Sequence, residues 1–205
     1  MQLAIYCADV GSIARGRFGW AGRLADGSLP ESGTSIEDLV AQVSAKLKGG
    51  MAVALGFECP LFVPHPRQPS ELTRARRGEG SRPWCAGAGA GALAVGLTES
   101  AWVLSRVHDE VSPEPAFFVS WPEFQRSRRG LLLWEAFVTG PAKAGSHEND
   151  AMLAVDAFVA ALPNPDAKSI ISEPSVFSLV AAAALRAGWR DAASLINHPC
   201  LVLAA

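Results

Sequence analysis

The stretch LAIYCAD at residues 3–9 is a run of apolar side chains that ends in an aspartate. The runs MAVALGF at 51–57 and LLLWEAFV at 131–138 are similar, with Glu58 directly after the first and Glu135 inside the second. Short apolar runs bounded by turn signals are typical of strands buried on both faces of a sheet. We therefore predict three buried central strands, each with an acidic residue at or near its carboxyl end.

The intervals between these runs carry hairpin and helix patterns. Residues 16–24 have one apolar face, and Asp26-Gly27 predicts a hairpin turn into a short strand near 28–31. A capping box at 34–37 predicts a helix that ends at Gly49-Gly50. The other predicted elements are helices at 70–77, 92–107, 147–162 and 175–187, and strands near 116–120 and 199–204. This order predicts an α/β fold with a mixed sheet: the first three strands are antiparallel, the later strands are parallel, and helices lie on both faces.

Length and composition restrict the class of protein. At roughly 150 residues per domain, 205 residues predict a single domain over 1–205, with a Pro/Arg/Gly-rich insertion near 59–92. The chain is 49% hydrophobic and 19% charged, a balance that excludes disorder as its main state. The longest apolar runs are too short to span a bilayer, and the amino-terminal residues are predicted to be a strand instead of a signal peptide. We expect no membrane partner.

The four cysteines indicate a reducing compartment. Cys7, Cys59 and Cys200 lie in or beside apolar runs, Cys85 does not, and none forms a C-x-x-C pair. We interpret Cys7, Cys59 and Cys200 as buried free thiols, which predicts a cytoplasmic protein.

The strand-end carboxylates predict a shared site. If the three strands are neighbours, Asp9, Glu58 and Glu135 meet at one edge of the sheet, where open α/β sheets bind ligands. Adjacent carboxylates repel one another, and a divalent cation such as Mg²⁺ or Mn²⁺ relieves that repulsion through hard oxygen ligands. Asp150, in the first turns of the 147–162 helix, is a fourth candidate, and His147 lies three residues before it. His147 is positioned to carry a proton or orient a water molecule.

Each candidate also has an ordinary structural explanation. Asp9 is placed to cap the turn through residues 10–12, and Asp150 is a common acid for a first helical turn. Glu58, and similarly Glu135, is placed to pair with a nearby arginine. Glu148 and Glu173 are alternative acids for completing the set.

Four motifs carry a resemblance to a known superfamily. They are CADVGS around Asp9, GFECPL around Glu58, LLWEAF around Glu135 and HENDAMLAVDAF around Asp150. The chain resembles the ribonuclease-H-like superfamily, and within it the Holliday-junction-resolvase-like branch and the predicted, uncharacterised bacterial nucleases of that fold. Two departures from the family pattern are Glu135, where aspartate is more usual, and the long insertion after Glu58.

The resemblance implies a metal-dependent phosphodiester hydrolase acting on nucleic acid. It implies a two-metal site of Mg²⁺ or Mn²⁺ held by Asp9, Glu58, Glu135 and Asp150, with a water molecule activated there. DNA and RNA, endonuclease and exonuclease, and monomer and dimer all stay open.

A basic segment follows Glu58 and predicts a nucleic-acid-binding surface. It carries arginines, which bind phosphates through two parallel hydrogen bonds, and a tryptophan, which can stack on a base. The predicted binding residues are Arg74, Arg76, Arg77, Arg82 and Trp84. The alternative is a solvated loop. The run AGAGAG at 86–91 lacks the Gly-Lys-Ser/Thr sequence of a P-loop, so we expect it to form a loop before a helix.

Two other functions remain as alternatives. One is a binding or interaction protein of the same fold without catalysis, whose carboxylates would not converge. The other is an actin-like phosphate-binding domain, because Asp9-Val-Gly-Ser12 is similar to the first phosphate motif of that superfamily. The chain is too short for the usual two-domain clamp of such proteins, which disfavours the second alternative.

Overall fold

The structure is a computed structural model that describes residues 2–80, 83–138 and 145–205. Its strands are β1 (Leu3–Asp9), β2 (Gly19–Leu24), β3 (Glu31–Gly33), β4 (Ala52–Phe57), β5 (Phe62–Pro64), β6 (Phe117–Phe118), β7 (Leu131–Phe137), β8 (Val176–Ser178) and β9 (Leu201–Ala204). Its α-helices are α1 (Ile36–Lys48), α2 (Gly87–Glu110), α3 (Trp121–Ser127), α4 (His147–Ala161) and α5 (Leu179–Ala187). Four short 3-10 turns at 13–15, 69–71, 165–168 and 190–195 join them.

Seven of these strands form one mixed sheet in the order β3-β2-β1-β4-β7-β6, with β9 also paired to β7. The pairs β1–β2 and β2–β3 are antiparallel, whereas β1–β4, β4–β7, β7–β6 and β7–β9 are parallel. Strands β5 and β8 form a separate antiparallel pair. The fold is therefore α/β with first strands antiparallel and later strands parallel, as predicted.

Side chains alternate between two hydrophobic cores, one on each face of the sheet. On β1, Ala4, Tyr6 and Ala8 face the core formed with α1, α2 and α5. Leu3, Ile5 and Cys7 face the core formed with α3 and α4. All seven residues of β1 are buried because helices cover both faces, which explains why the run reads as continuously apolar.

Local signals set several element boundaries. Helix α1 begins after Ser35, whose hydroxyl accepts a hydrogen bond from the Asp38 amide, one residue later than the capping box predicts. Gly188, at a φ of 107°, ends α5 as predicted. Within the described ranges, no helix combines the length and apolarity needed to cross a bilayer.

Three predicted elements are wrong. The run at 86–91 is not a loop, because α2 begins at Gly87. A Cβ on residue 89 would lie 2.3 Å from the Pro83 carbonyl oxygen, so the close approach of Pro83 to the helix requires glycine at this position. Residues 176–178 are a strand paired with β5, and the helix predicted from 175 begins only at Leu179. The predicted helix at 70–77 is only a 3-10 turn at 69–71. Helix α3 was not predicted, since its seven residues are too few to show periodicity.

Candidate functional site

Asp9 and His147 are in direct contact at the carboxyl end of β1. Asp9 is 4% exposed, and its Oδ2 lies 2.5 Å from Nδ1 of His147, the first residue of α4. The neighbouring strand permits this approach: Gly19 pairs with Asp9, and a Cβ there would lie 2.5 Å from the backbone nitrogen of Glu148. A carboxylate only accepts hydrogen bonds, so Nδ1 is the donor in this contact, and in the neutral tautomer with its proton on Nδ1 the acceptor nitrogen is Nε2.

Asp150 lies one helical turn after His147. Residues three apart share a face of a helix, so Asp150 is on the same side of α4 as His147, and it is 5% exposed. Ser146 caps the helix by accepting a hydrogen bond from the Asn149 amide. The partial positive charge of this helix end attracts the negative charge of a carboxylate in the first turn.

Glu58 is held beside Asp9 by the backbone. It directly follows β4, and its amide donates to the carbonyl oxygen of Ala8 at 2.8 Å. Burial raises the pKa of the Cys7 thiol well above its ordinary value, and the negative charges of Glu58 and Asp9 raise it further. Glu58 and Asp9 therefore both lie close enough to the Cys7 thiol to raise its pKa.

Glu99 on α2 is a further acid at this edge that the sequence analysis missed. It is 6% exposed, it accepts a hydrogen bond from the Gly11 amide, and its Oε2 is buried with no hydrogen-bond partner among the described residues. Burial raises its pKa from 4.5 to about 7; the charge of Asp9 adds to this rise and the Gly11 hydrogen bond opposes it. The sequence did carry a signal for its burial, because Glu99 lies four and eight residues before Val103 and Val107 and therefore on the same buried face of α2. We call Asp9, Glu58, Glu99, His147 and Asp150 the Asp9 cluster.

Glu135 lines a small pocket together with Glu58, but its carboxylate is bound by an arginine on the face of the sheet opposite α4. Strand alternation places it on the opposite face of the sheet from Trp134, where its carboxylate accepts two hydrogen bonds from Arg76 at 2.6 and 2.7 Å. A third comes from the Leu61 amide at 3.0 Å. Burial raises the pKa of Glu135, and the charge of Arg76 opposes that rise. The ion-pair alternative therefore describes Glu135, and we correct its placement among the convergent carboxylates.

The predicted nucleic-acid-binding arginines differ in exposure and in their partners. Arg76 is 2% exposed and bonded to Glu135 and Glu79, so its assignment to a binding surface is wrong. Arg74 is half-buried and forms two hydrogen bonds with Glu173. Arg77 has an exposed side chain, and Arg82 lies outside the described residues.

Trp84 forms a hydrogen bond within the protein through its indole nitrogen. It is half-buried, and its indole nitrogen donates to the carbonyl oxygen of Arg74 at 2.9 Å. The cysteines match the prediction more closely: Cys7, Cys59 and Cys200 are buried free thiols, and Cys85 is partly exposed.

The donor types of the Asp9 cluster fit a hard divalent cation, although the cluster is not a closed coordination shell. Its acids offer carboxylate oxygens, and the buried Oε2 of Glu99 still lacks a partner in the described structure. In the same ranges, no three His, Cys, Asp or Glu side chains are grouped as a metal ion requires. A cation here would have to draw remaining ligands from water or substrate, as Mg²⁺ commonly does.

Comparison of the chain with protein-family models, with curated proteins and with solved structures finds no match.

Proposed function

We propose that this protein is a metal-dependent phosphodiester hydrolase that acts on nucleic acid through the Asp9 cluster. The observation that carries the proposal is the contact between Asp9 and His147 at the carboxyl ends of parallel strands. Asp150 shares the face of α4 that carries His147, and Glu99 adds a buried carboxylate oxygen that has no hydrogen-bond partner among the described residues. Carboxylates next to an oriented imidazole are the groups that hydrolysis of a phosphodiester uses.

The acids of the cluster are the proposed ligands of Mg²⁺ or Mn²⁺. Asp9, Glu58 and Asp150 would hold the cation, with Glu99 beside Asp9. When bound, such a cation supplies charge stabilisation to a phosphoryl oxygen and favours the ionisation of water. The substrate phosphate would complete the ligand set.

His147 is the proposed general base. Its Nδ1 is fixed by Asp9, which leaves Nε2 as the ring nitrogen that would accept a proton from the attacking water. Its side chain is 37% exposed, which gives water access to the ring.

The resemblance to ribonuclease-H-like nucleases supports the same activity. Antiparallel first strands followed by parallel strands are the arrangement that this resemblance implies. A cytoplasmic location, nucleic acid as the partner and a possible two-metal site belong to the proposal, and the buried free thiols favour the first of these.

A specific observation favours the second candidate, a binding protein of this fold without catalysis. No three potential ligands are grouped within the described residues, and Glu135 is held by Arg76. Calorimetry distinguishes the two candidates: a hydrolase binds Mn²⁺ in the presence of an uncleavable phosphodiester analogue, and the Asp9→Asn variant loses that binding.

The decisive measurement combines this titration with cleavage of a generic phosphodiester in Mn²⁺. We expect Asp9→Asn to abolish cleavage and His147→Ala to slow it by about 10²- to 10⁴-fold, the usual contribution of a general base. Asp156→Asn is the matched control, because Asp156 lies on the same helix, is exposed and pairs with Arg23. Full cleavage by Asp9→Asn with an unchanged melting temperature would refute the assignment.

A further inference from the structure

A cationic pocket lies beside the β5–β8 pair, between the insertion and the residues that precede β8. Its volume is about 530 Å³, and its walls include Arg67, Arg74, Arg77, His65 and Glu71. We call it the arginine pocket. Three guanidinium groups face one lining carboxylate, so the pocket favours an anion.

The wall of the arginine pocket is held in place by the protein itself. Arg74 pairs with both oxygens of Glu173, and the backbone amide of Arg77 donates to the same carboxylate at 2.6 Å. On the other side, the His65 amide donates to Ser175 at 3.0 Å. These contacts satisfy Arg74 and fix the backbone that carries Arg77.

Two guanidinium groups of the pocket have no hydrogen-bond acceptor within the described part of the chain. Arg67 and Arg77 are exposed, and neither side chain donates a hydrogen bond to any residue that the structure describes. A guanidinium group offers parallel donors at the spacing of phosphate oxygens and is more weakly hydrated than an ammonium group. Both side chains are therefore available for a phosphate group.

Residues 74–79 line both the arginine pocket and a second pocket that contains Glu58 of the Asp9 cluster. Residues 74–79 direct Arg74 and Arg77 toward the pocket, whereas Arg76 and Glu79 are buried and bonded to each other. Glu79 and Glu135 also line a smaller pocket of about 90 Å³ together with Glu58. One short segment thus borders both the arginine pocket and the pocket that contains Glu58.

We propose that the arginine pocket binds a backbone phosphate of the nucleic-acid strand through Arg67 and Arg77. This inference rests on the proposed function for the identity of its ligand. The lining residues include no Phe, Tyr or Trp on which a base would stack, so the contact reads the backbone and is independent of base sequence.

The test is fluorescence anisotropy of a short labelled oligodeoxythymidine, in chelator and across a salt series. We expect the double variant Arg67→Gln/Arg77→Gln to bind about tenfold more weakly, as loss of charge-assisted hydrogen bonds predicts. Its log–log salt dependence should be shallower by about 0.7, the value for one phosphate contact with a single strand. An oligodeoxyadenosine should give the same loss. Arg106→Gln is the matched control, because Arg106 is an exposed arginine paired with Asp109 on α2.

The outcomes separate this inference from the hydrolase. Wild-type affinity and salt dependence in the double variant would overturn the arginine pocket, even if Asp9-dependent cleavage is observed. Arginine-dependent binding without any cleavage would support the pocket and count against the hydrolase alone. A pocket that binds inorganic phosphate through these arginines but leaves strand binding unchanged would overturn the strand as the source of the phosphate.

Discussion

Replacing Glu99 with glutamine should stabilise the protein by an amount that grows as the pH rises from 4.5 to about 7. The folded-state pKa of Glu99 is raised from 4.5 to about 7, chiefly by burial. A carboxyl group with a raised pKa contributes no penalty below its unfolded pKa, where it is protonated in both states. As the pH rises from 4.5 to about 7, the unfolded state ionises while the native state keeps the proton on Glu99, so stability is lost, and above about pH 7 the penalty stays constant.

The size of the effect follows from the two pKa values. At 1.36 kcal/mol for each pKa unit, the rise from 4.5 to about 7 corresponds to about 3 kcal/mol of unfolding free energy. Glutamine has the shape of the protonated acid but does not ionise. We therefore expect Glu99→Gln and wild type to be about equally stable near pH 4.5, and the variant to be more stable by about 3 kcal/mol at pH 8.

Urea unfolding followed by tryptophan fluorescence measures this difference, since the chain has six tryptophans. The titration is done in chelator, because a bound cation would offset the cost of the ionised acid. Glu123→Gln, at an exposed position on α3, is the control and should stay within about 0.5 kcal/mol of wild type at each pH. A Glu99→Gln curve parallel to wild type between about pH 5 and pH 8, or a less stable variant at about pH 8, would refute the reasoning.

Three further predictions use the same unfolding assay. Arg76→Met leaves two buried carboxylates without their cationic partner and should lower the free energy of unfolding by about 3–5 kcal/mol. Adding Glu135→Gln should recover about 1–2 kcal/mol of that loss. Strictly additive effects of the two substitutions would show that Arg76 and Glu135 are not coupled. Gly19→Ala brings a Cβ to 2.6 Å from the His147 Cβ, so we expect the free energy of unfolding to fall by about 1–3 kcal/mol. The His147 ring resonances should also shift in NMR spectra, and an unchanged spectrum would contradict this packing. Phe158→Ala removes a fully buried ring 4.9 Å from that of Trp134 and should cost about 3–5 kcal/mol, and a cost under about 1 kcal/mol would mean that the core collapses to fill the space.

The buried strands were predictable because burial on both faces leaves a direct record in the sequence. The run 3–9 matches β1 residue for residue, and α1 and α4 begin within one residue of the predicted positions. The short pair β5–β8 was not predictable in this way, since three-residue strands carry too little pattern.

The site was only partly predictable, for a reason that lies in strand geometry. The sequence suggested His147 and Asp150 as helix-borne partners of Asp9, and the structure brings His147 to Asp9. The position of Glu135 along its strand suggested that it would lie near Asp9. The face of the sheet on which its side chain lies determines its actual partner, which is Arg76. A residue that alternates with Trp134 points away from α4. Pairing with Arg76, 59 positions away in the chain, leaves no local signal.

The two ends of the sheet bear on how the protein behaves at high concentration. Strand β3 has three residues, and the outer side of β7 is shared end to end by β6, with two residues, and β9, with four. An incoming chain that extends a sheet needs a long uninterrupted row of unpaired backbone groups. Neither border of this sheet offers such a row within the described residues. A largely apolar set of central strands is thereby shielded from edge-to-edge aggregation by strands too short to act as templates.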